Sequence, residues 1–173
     1  MKLLGEECLD KLIYYNPKRW SKVYMKYTTK CDIIDNSMAE CFNSWILAAR
    51  HKTVITMLEE IRVKMMKRVG QIREFCDSWI HDFSLMALKV LTEHTARYMK
   101  CSIEWNSDTG YEVVEGHFRH VVDLPRQTCS CRAWILKGIP CPHAIAALHH
   151  KRLNPMDYIS QWYSRDTYMK TYS

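Results

Sequence analysis

Three thiols and one imidazole fall within fifteen residues near one end of the chain: Cys129-Ser130-Cys131, then Cys141-Pro142-His143. The order is C-x-C-x9-C-x-H. Thiolate and imidazole are preferred donors for zinc, and three Cys with one His make a complete tetrahedral set for a structural ion. A catalytic zinc keeps an open coordination position, and four close protein ligands leave none. The chain has no C-x-x-C pair, which argues against a thiol redox site. The expected cofactor is therefore one structural Zn2+ held by Cys129, Cys131, Cys141 and His143. His149 and His150 lie about two helical turns beyond His143, too far to join the same tetrahedron. His117 and His120 sit in a strand region from which they could approach, but read as surface or interfacial histidines.

These ligands need two kinds of support. In C-x-C on an extended segment, side chains two apart point to one face. In Cys141-Pro142-His143, proline suits the first turn of a helix, and Ala144-Ile145-Ala146-Ala147-Leu148 continues it. The positive end of that helix favours an anionic sulfur. Upstream, Ile103 and Trp105 alternate with polar residues. A turn cluster over 106–110, a strand over 111–115, a turn at Gly116 and a strand over 118–123 complete a small meander. Downstream of the helix over 142–151, Asn154-Pro155 opens a short turn and Ser164 caps a last helix.

The first hundred residues read as helical. A short helix over 6–14 carries Leu9, Leu12 and Ile13 on one face. Asn16-Pro17 restarts a helix with Trp20, Val23 and Tyr24 at helical spacing, and 27–35 is a loop. Ser37-Met38-Ala39-Glu40 has the form of a capping box and opens a helix with Phe42, Trp45, Ile46 and Ala49 on a stripe. Thr53 starts a longer helix. Its apolar stripe of Val54, Leu58, Ile61, Met65 and Val69 predicts packing, and its other face, with Arg62, Lys64, Lys67, Arg68 and Arg73, reads as a solvated face rather than a binding surface. The period breaks over 76–82 and resumes from Ser84 to Lys100. The fold class is α+β: a mainly helical N-terminal bundle over 1–100, then a small β-meander and ββα-like finger within 101–173, the finger at about 118–152.

The chain has 173 residues, 47% of them hydrophobic, enough for a sizeable core. No apolar run is long enough to span a bilayer. Met1-Lys2-Leu3-Leu4-Gly5-Glu6-Glu7 turns acidic before a signal-peptide core could form, which points to an intracellular protein. Cys8, Cys31, Cys41, Cys76 and Cys101 are scattered through apolar or helical sequence and read as reduced core cysteines. Of the net charge of +6, most lies between His117 and Arg152, where Arg119, Arg126, Arg132, Lys137, Lys151 and Arg152 face one acid, Asp123. Such a surplus is a footprint for phosphate or an acidic partner, or simply the solvated surface of a small module.

The spacing of the four ligands, with Trp134, Gly138-Ile139-Pro140 and Pro142-His143-Ala144-Ile145-Ala146-Ala147, resembles the SWIM-type zinc finger, and is closest to the plant Mutator variety. Asp123-Leu124 before the C-x-C and Asn154-Pro155 with the tyrosine-rich tail resemble the same region of Mutator-like transposases and of the far-red-impaired-response regulators. The segment from Asn36 to Ile46 resembles the helix in which such transposases end their catalytic core. The resemblance implies a DNA partner and the nucleus, with a protein partner as the alternative for a zinc module of this size. Trp134 then either stacks on a base or packs under the knuckle. The resemblance aligns Glu40 with the third acid of a D-D-E nuclease site, whereas local chemistry makes it the Glu of the capping box. Two-metal phosphoryl transfer needs several converging carboxylates. Asp10, Asp32 and Asp35 precede Glu40 in no recognisable motif, so the chain is not expected to be an enzyme. The remaining alternative is a transposase fragment whose Glu40 serves a site completed elsewhere.

Overall fold

A computed structural model describes residues 6–26, 28, 30, 37–106 and 110–172. Among these the elements run α1 (Glu6–Tyr14), α2 (Ser37–Trp45), α3 (Val54–Asp77), α4 (Leu85–Tyr98), β1 (Cys101–Asn106), β2 (Gly110–Glu115), β3 (Phe118–Asp123), β4 (Thr128–Cys129), α5 (Ala133–Lys137), α6 (Pro142–His150) and α7 (Arg165–Thr171). The chain is thus α+β, with helices first and the sheet and finger after them. No helix among the described residues is long and apolar enough to cross a membrane.

Local chemistry sets most boundaries. Ser84 caps α4, its Oγ accepting from the Ala87 N–H at 3.3 Å. Ser164 caps α7 in the same way through Thr167, as expected. Asn154 caps a 3-10 turn over Pro155–Tyr158. Asn16 also caps, but the residues after it form two separate 3-10 turns, Pro17–Arg19 and Lys22–Tyr24, not the expected helix. Ser37 is the first residue of α2 and Glu40 lies in its first turn, so Ser37 is not the residue before the helix that the expected capping box requires. The expected loop over 27–35 lies mostly outside the described residues, as do Cys31, Asp32, Asp35 and the middle of the turn at 106–110.

The four strands form an antiparallel meander in the order β1-β2-β3-β4. Gly116, at φ 62°, makes the β2–β3 turn in a conformation that suits glycine. The register of β1 on β2 shifts between Ile103 and Trp105. Helix α6 lies across this sheet and is buried from Pro142 to Leu148. A helix apolar all round needs cover on more than one side, and α6 has it. Its Ala144, Ala147 and Leu148 join Tyr111, Val113, Val122, Leu124 and Trp134 in one core. Its Ile145 joins Ala87 and Leu91 of α4, with Ile139 and Ile159, in another. Helix α4 is therefore packed onto the finger. His94 Nδ1 adds a hydrogen bond with the Pro140 carbonyl at 2.8 Å.

The earlier helices do not bury the stripe expected of them. Val54, Leu58 and Met65 of α3 are 66%, 57% and 53% exposed, and Leu9, Leu12 and Ile13 of α1 are also exposed. Periodicity identifies an apolar face but supplies no partner for it: Ile61 and Val69 are half-buried and Met65 lines a groove with Phe42 and Trp45 of α2, while Val54 and Leu58 stay largely uncovered. Of the five scattered cysteines, Cys76 is buried, Cys101 is half-buried, and Cys8 and Cys41 are exposed, which corrects their assignment to the core.

Candidate metal centre

Cys129 is the last residue of β4, paired opposite Val122. The chain then turns: the Arg132 N–H donates to the Cys129 carbonyl at 2.8 Å, and Arg132 takes φ 64° in the left-handed region. Cys131 thus reaches the site from a tight turn. This corrects the expectation that both thiols alternate along one extended segment. The short helix α5, not anticipated from the sequence, follows at once and buries Trp134 at 1% exposure. Trp134 packs beneath the knuckle, edge-on to Tyr158 at 6.3 Å.

Cys141 caps α6, its sulfur accepting from the Ala144 N–H at 3.5 Å, and Pro142 occupies the first turn as expected. His143 follows in that turn, with its side chain buried. The ligand atoms of Cys129, Cys131, Cys141 and His143 all lie within 4.8 Å of one another. His143 Nδ1 is 3.7 Å from Cys129 Sγ and 3.9 Å from Cys141 Sγ. A tetrahedral zinc with bonds of about 2.1–2.3 Å has S···N edges of about 3.6 Å, so donor type, number and spacing all fit one structural zinc. The thiols also polarise one another. Hydrogen bonds with Cys129 and Cys141 hold the Cys131 thiol far below its ordinary value. Those with Cys129 and Cys131 push Cys141 up. Burial pulls His143 down, but hydrogen bonds with Cys129 and Cys131 outweigh it and push the imidazole up to about 10.

The other face of His143 was not anticipated. Its Nε2 lies 3.1 Å from Glu115 Oε2 at the end of β2. Glu115 in turn accepts from Arg97 of α4 at 2.9 and 3.3 Å. Arg97 first, and then His143, hold the Glu115 carboxyl below its usual value, against the opposing effect of burial. Cys101, opposite Glu115 across the β1–β2 ladder, forms with Glu115 and His143 a second group with ligand atoms within 4.8 Å. His120 stacks on the His143 ring at 3.9 Å, closer than a surface histidine would come. His149 stacks on Tyr98 and His150 meets Tyr111 edge-on, so both point away from the ligands. No spacing rule links Glu115 to His143; only the packing of α6 against the sheet brings them together.

Glu40 is exposed in the first turn of α2 and joins no group of three or more ligating side chains among the described residues. The basic surplus of the finger is largely engaged within the fold. Arg119 lies between Glu104 and Glu112 at 2.8 and 2.9 Å. Arg132 donates to the carbonyls of Val23 and Met25. Arg126 pairs with Asp123, and Lys151 stands 5.7 Å over the Tyr111 ring.

Comparison with known protein families finds a SWIM zinc finger at residues 120–152, which contains all four ligands. No curated protein and no solved structure matches the chain.

Proposed function

We propose that the chain is a non-catalytic, zinc-stabilised DNA-binding module of a protein descended from a Mutator-like transposase, acting in the nucleus. The supporting observation is the pairing of a closed zinc centre with an exposed basic helix. The metal, ringed by four buried or half-buried ligands, holds the knuckle against α6 and turns binding energy into folding energy. Because the finger's own cations are mostly tied to carboxylates, carbonyls and a ring, the phosphate-binding role passes to α3. Between Ile61 and Arg73 that helix carries Arg62, Lys64, Lys67, Arg68 and Arg73 and no acid. Arg62 is paired with Glu59; Lys67, Arg68 and Arg73 face solvent.

Binding of a fluorescent DNA duplex across a salt series tests this reading. Neutralising phosphates releases counterions, so affinity should fall steeply with salt, and Lys67→Glu with Arg68→Glu should weaken it further. A second reading has its own support in the exposed Val54, Leu58 and Met65 on the same helix: a protein partner covering an apolar stripe. That reading predicts association that is insensitive to salt and lost in Leu58→Asp. Metal-dependent DNA cleavage abolished by Glu40→Gln would instead make the chain an enzyme.

A further inference from the structure

We propose that Glu115 and Arg97 fix the coordination mode of the zinc, and that the metal-binding unit therefore begins at α4, well upstream of the matched finger at 120–152. The inference rests on the zinc site and is independent of which partner the protein binds.

A neutral imidazole has one N–H and one lone pair. A carboxylate can only accept, so the His143 nitrogen facing Glu115, Nε2, must carry the hydrogen. That leaves the lone pair on Nδ1, the atom turned toward the Cys129 and Cys141 sulfurs. A ligating histidine whose second nitrogen donates to a carboxylate is oriented and made more basic by it. Glu115 is itself held by two hydrogen bonds from the Arg97 guanidinium, a geometry that fixes the plane of a carboxylate. Arg97 also brings a positive charge near a centre that carries a net negative one when three thiolates bind Zn2+.

Neither residue lies in the finger segment. Arg97 is in the last turn of α4 and Glu115 ends β2. Arg97 is positioned by packing already described: Ala87 and Leu91 of α4 against Ile139 and Ile145, and His94 on the carbonyl of Pro140, the residue before Cys141. Helix α4 thus supports the second ligand pair from two sides, through the backbone at Pro140 and through the imidazole at His143.

The test uses the full chain with Glu115→Ala, Glu115→Gln and Arg97→Met variants. Zinc affinity is measured by competition with a chromogenic chelator, and long-range 1H–15N correlation at His143 reports which nitrogen is bound. The wild type should hold one zinc through Nδ1, with Nε2 protonated. Glu115→Ala should lose about 10–100-fold in affinity. Glu115→Gln, which keeps an acceptor but not the charge, should lose several-fold, and Arg97→Met should fall between Glu115→Gln and the wild type. If Glu115→Ala does not fold, Glu115→Gln carries the comparison. Affinities within twofold of the wild type in all folded variants, or zinc bound through Nε2, overturn the proposal while leaving the zinc site standing. A wild-type chain that takes up no zinc overturns both.

Discussion

Ser160 donates its backbone N–H to the Gly138 carbonyl at 2.7 Å, and a Cβ placed on Gly138 would lie 2.7 Å from the Ser160 Cβ. Gly138 also ends α5 at φ 71°. Two demands meet at one residue, a left-handed backbone and a close approach. Gly138→Ala should therefore destabilise the finger by about 2 kcal/mol or more, since the left-handed conformation alone costs about 1–2 kcal/mol for a residue with a Cβ. Thermal unfolding of the zinc-loaded protein checks this; a change under about 0.5 kcal/mol, the range of a neutral surface substitution, would contradict it.

Removing a ligand should remove the metal. Cys131→Ser and His143→Ala each leave three donors and should drop zinc below one per chain by metal analysis. A strong chelator should do the same to the wild type. Because metal binding and folding are linked, near-ultraviolet circular dichroism from Trp134 should collapse with it. Full zinc content in either variant would show that another side chain completes the set.

Zinc affinity should rise with pH up to about 10, because the thiols and the His143 imidazolium, itself pushed up to about 10, must give up protons before they bind metal. Glu115 works in the same sense but at lower pH. Its pKa is depressed by Arg97 and His143, so its stabilising contribution is fully present above the ordinary carboxylate value of about 4.3 and is lost only as pH falls through the lower, folded one. Chelator competition at several pH values should thus show proton-coupled zinc release while the Arg97–Glu115 pair is still intact. A pH-independent affinity over this range would be incompatible with thiolate ligation.

Trp134 is buried against Tyr158 within the core that contains Cys129 and Cys141. Trp134→Ala should cost about 3–5 kcal/mol, the range for deleting a large buried aromatic. Trp134→Phe should recover much of this. If Trp134 stacked on a base instead, both variants would lose DNA affinity with little loss of stability, and a parallel measurement of the two quantities separates these outcomes.

The parts of this architecture that could be read from the sequence are those set locally. The helix start at Pro142, the cap at Ser164, the strands at 111–115 and 118–123 and the four ligands each follow from residues a few positions apart. What escaped notice depends on distant segments. Glu115 meets His143 only because α6 packs against the sheet that carries β2. Cys131 arrives by a turn that needs Arg132 in a left-handed conformation, for which arginine gives no signal. The stripe on α3 is apolar, but periodicity does not reveal whether another surface covers it. The basic surplus over 117–152 is plain in the sequence, yet most of those cations are occupied by partners that no local pattern indicates.

The packing of α4 on α6 also sets an order of events during synthesis. His94 and Pro140 are separated by 46 residues, against 14 between Cys129 and His143. At about 5–20 residues per second, α4 leaves the ribosome about 2–9 s before the loop it rests on. The local hairpins of the meander can close in that interval, since contacts near in sequence form early. The final thiol and the imidazole then emerge almost together. Capture of the ion and the covering of Ala87 and Leu91 therefore fall at the same late moment of translation, and a cell short of zinc would expose that apolar face on every newly made chain.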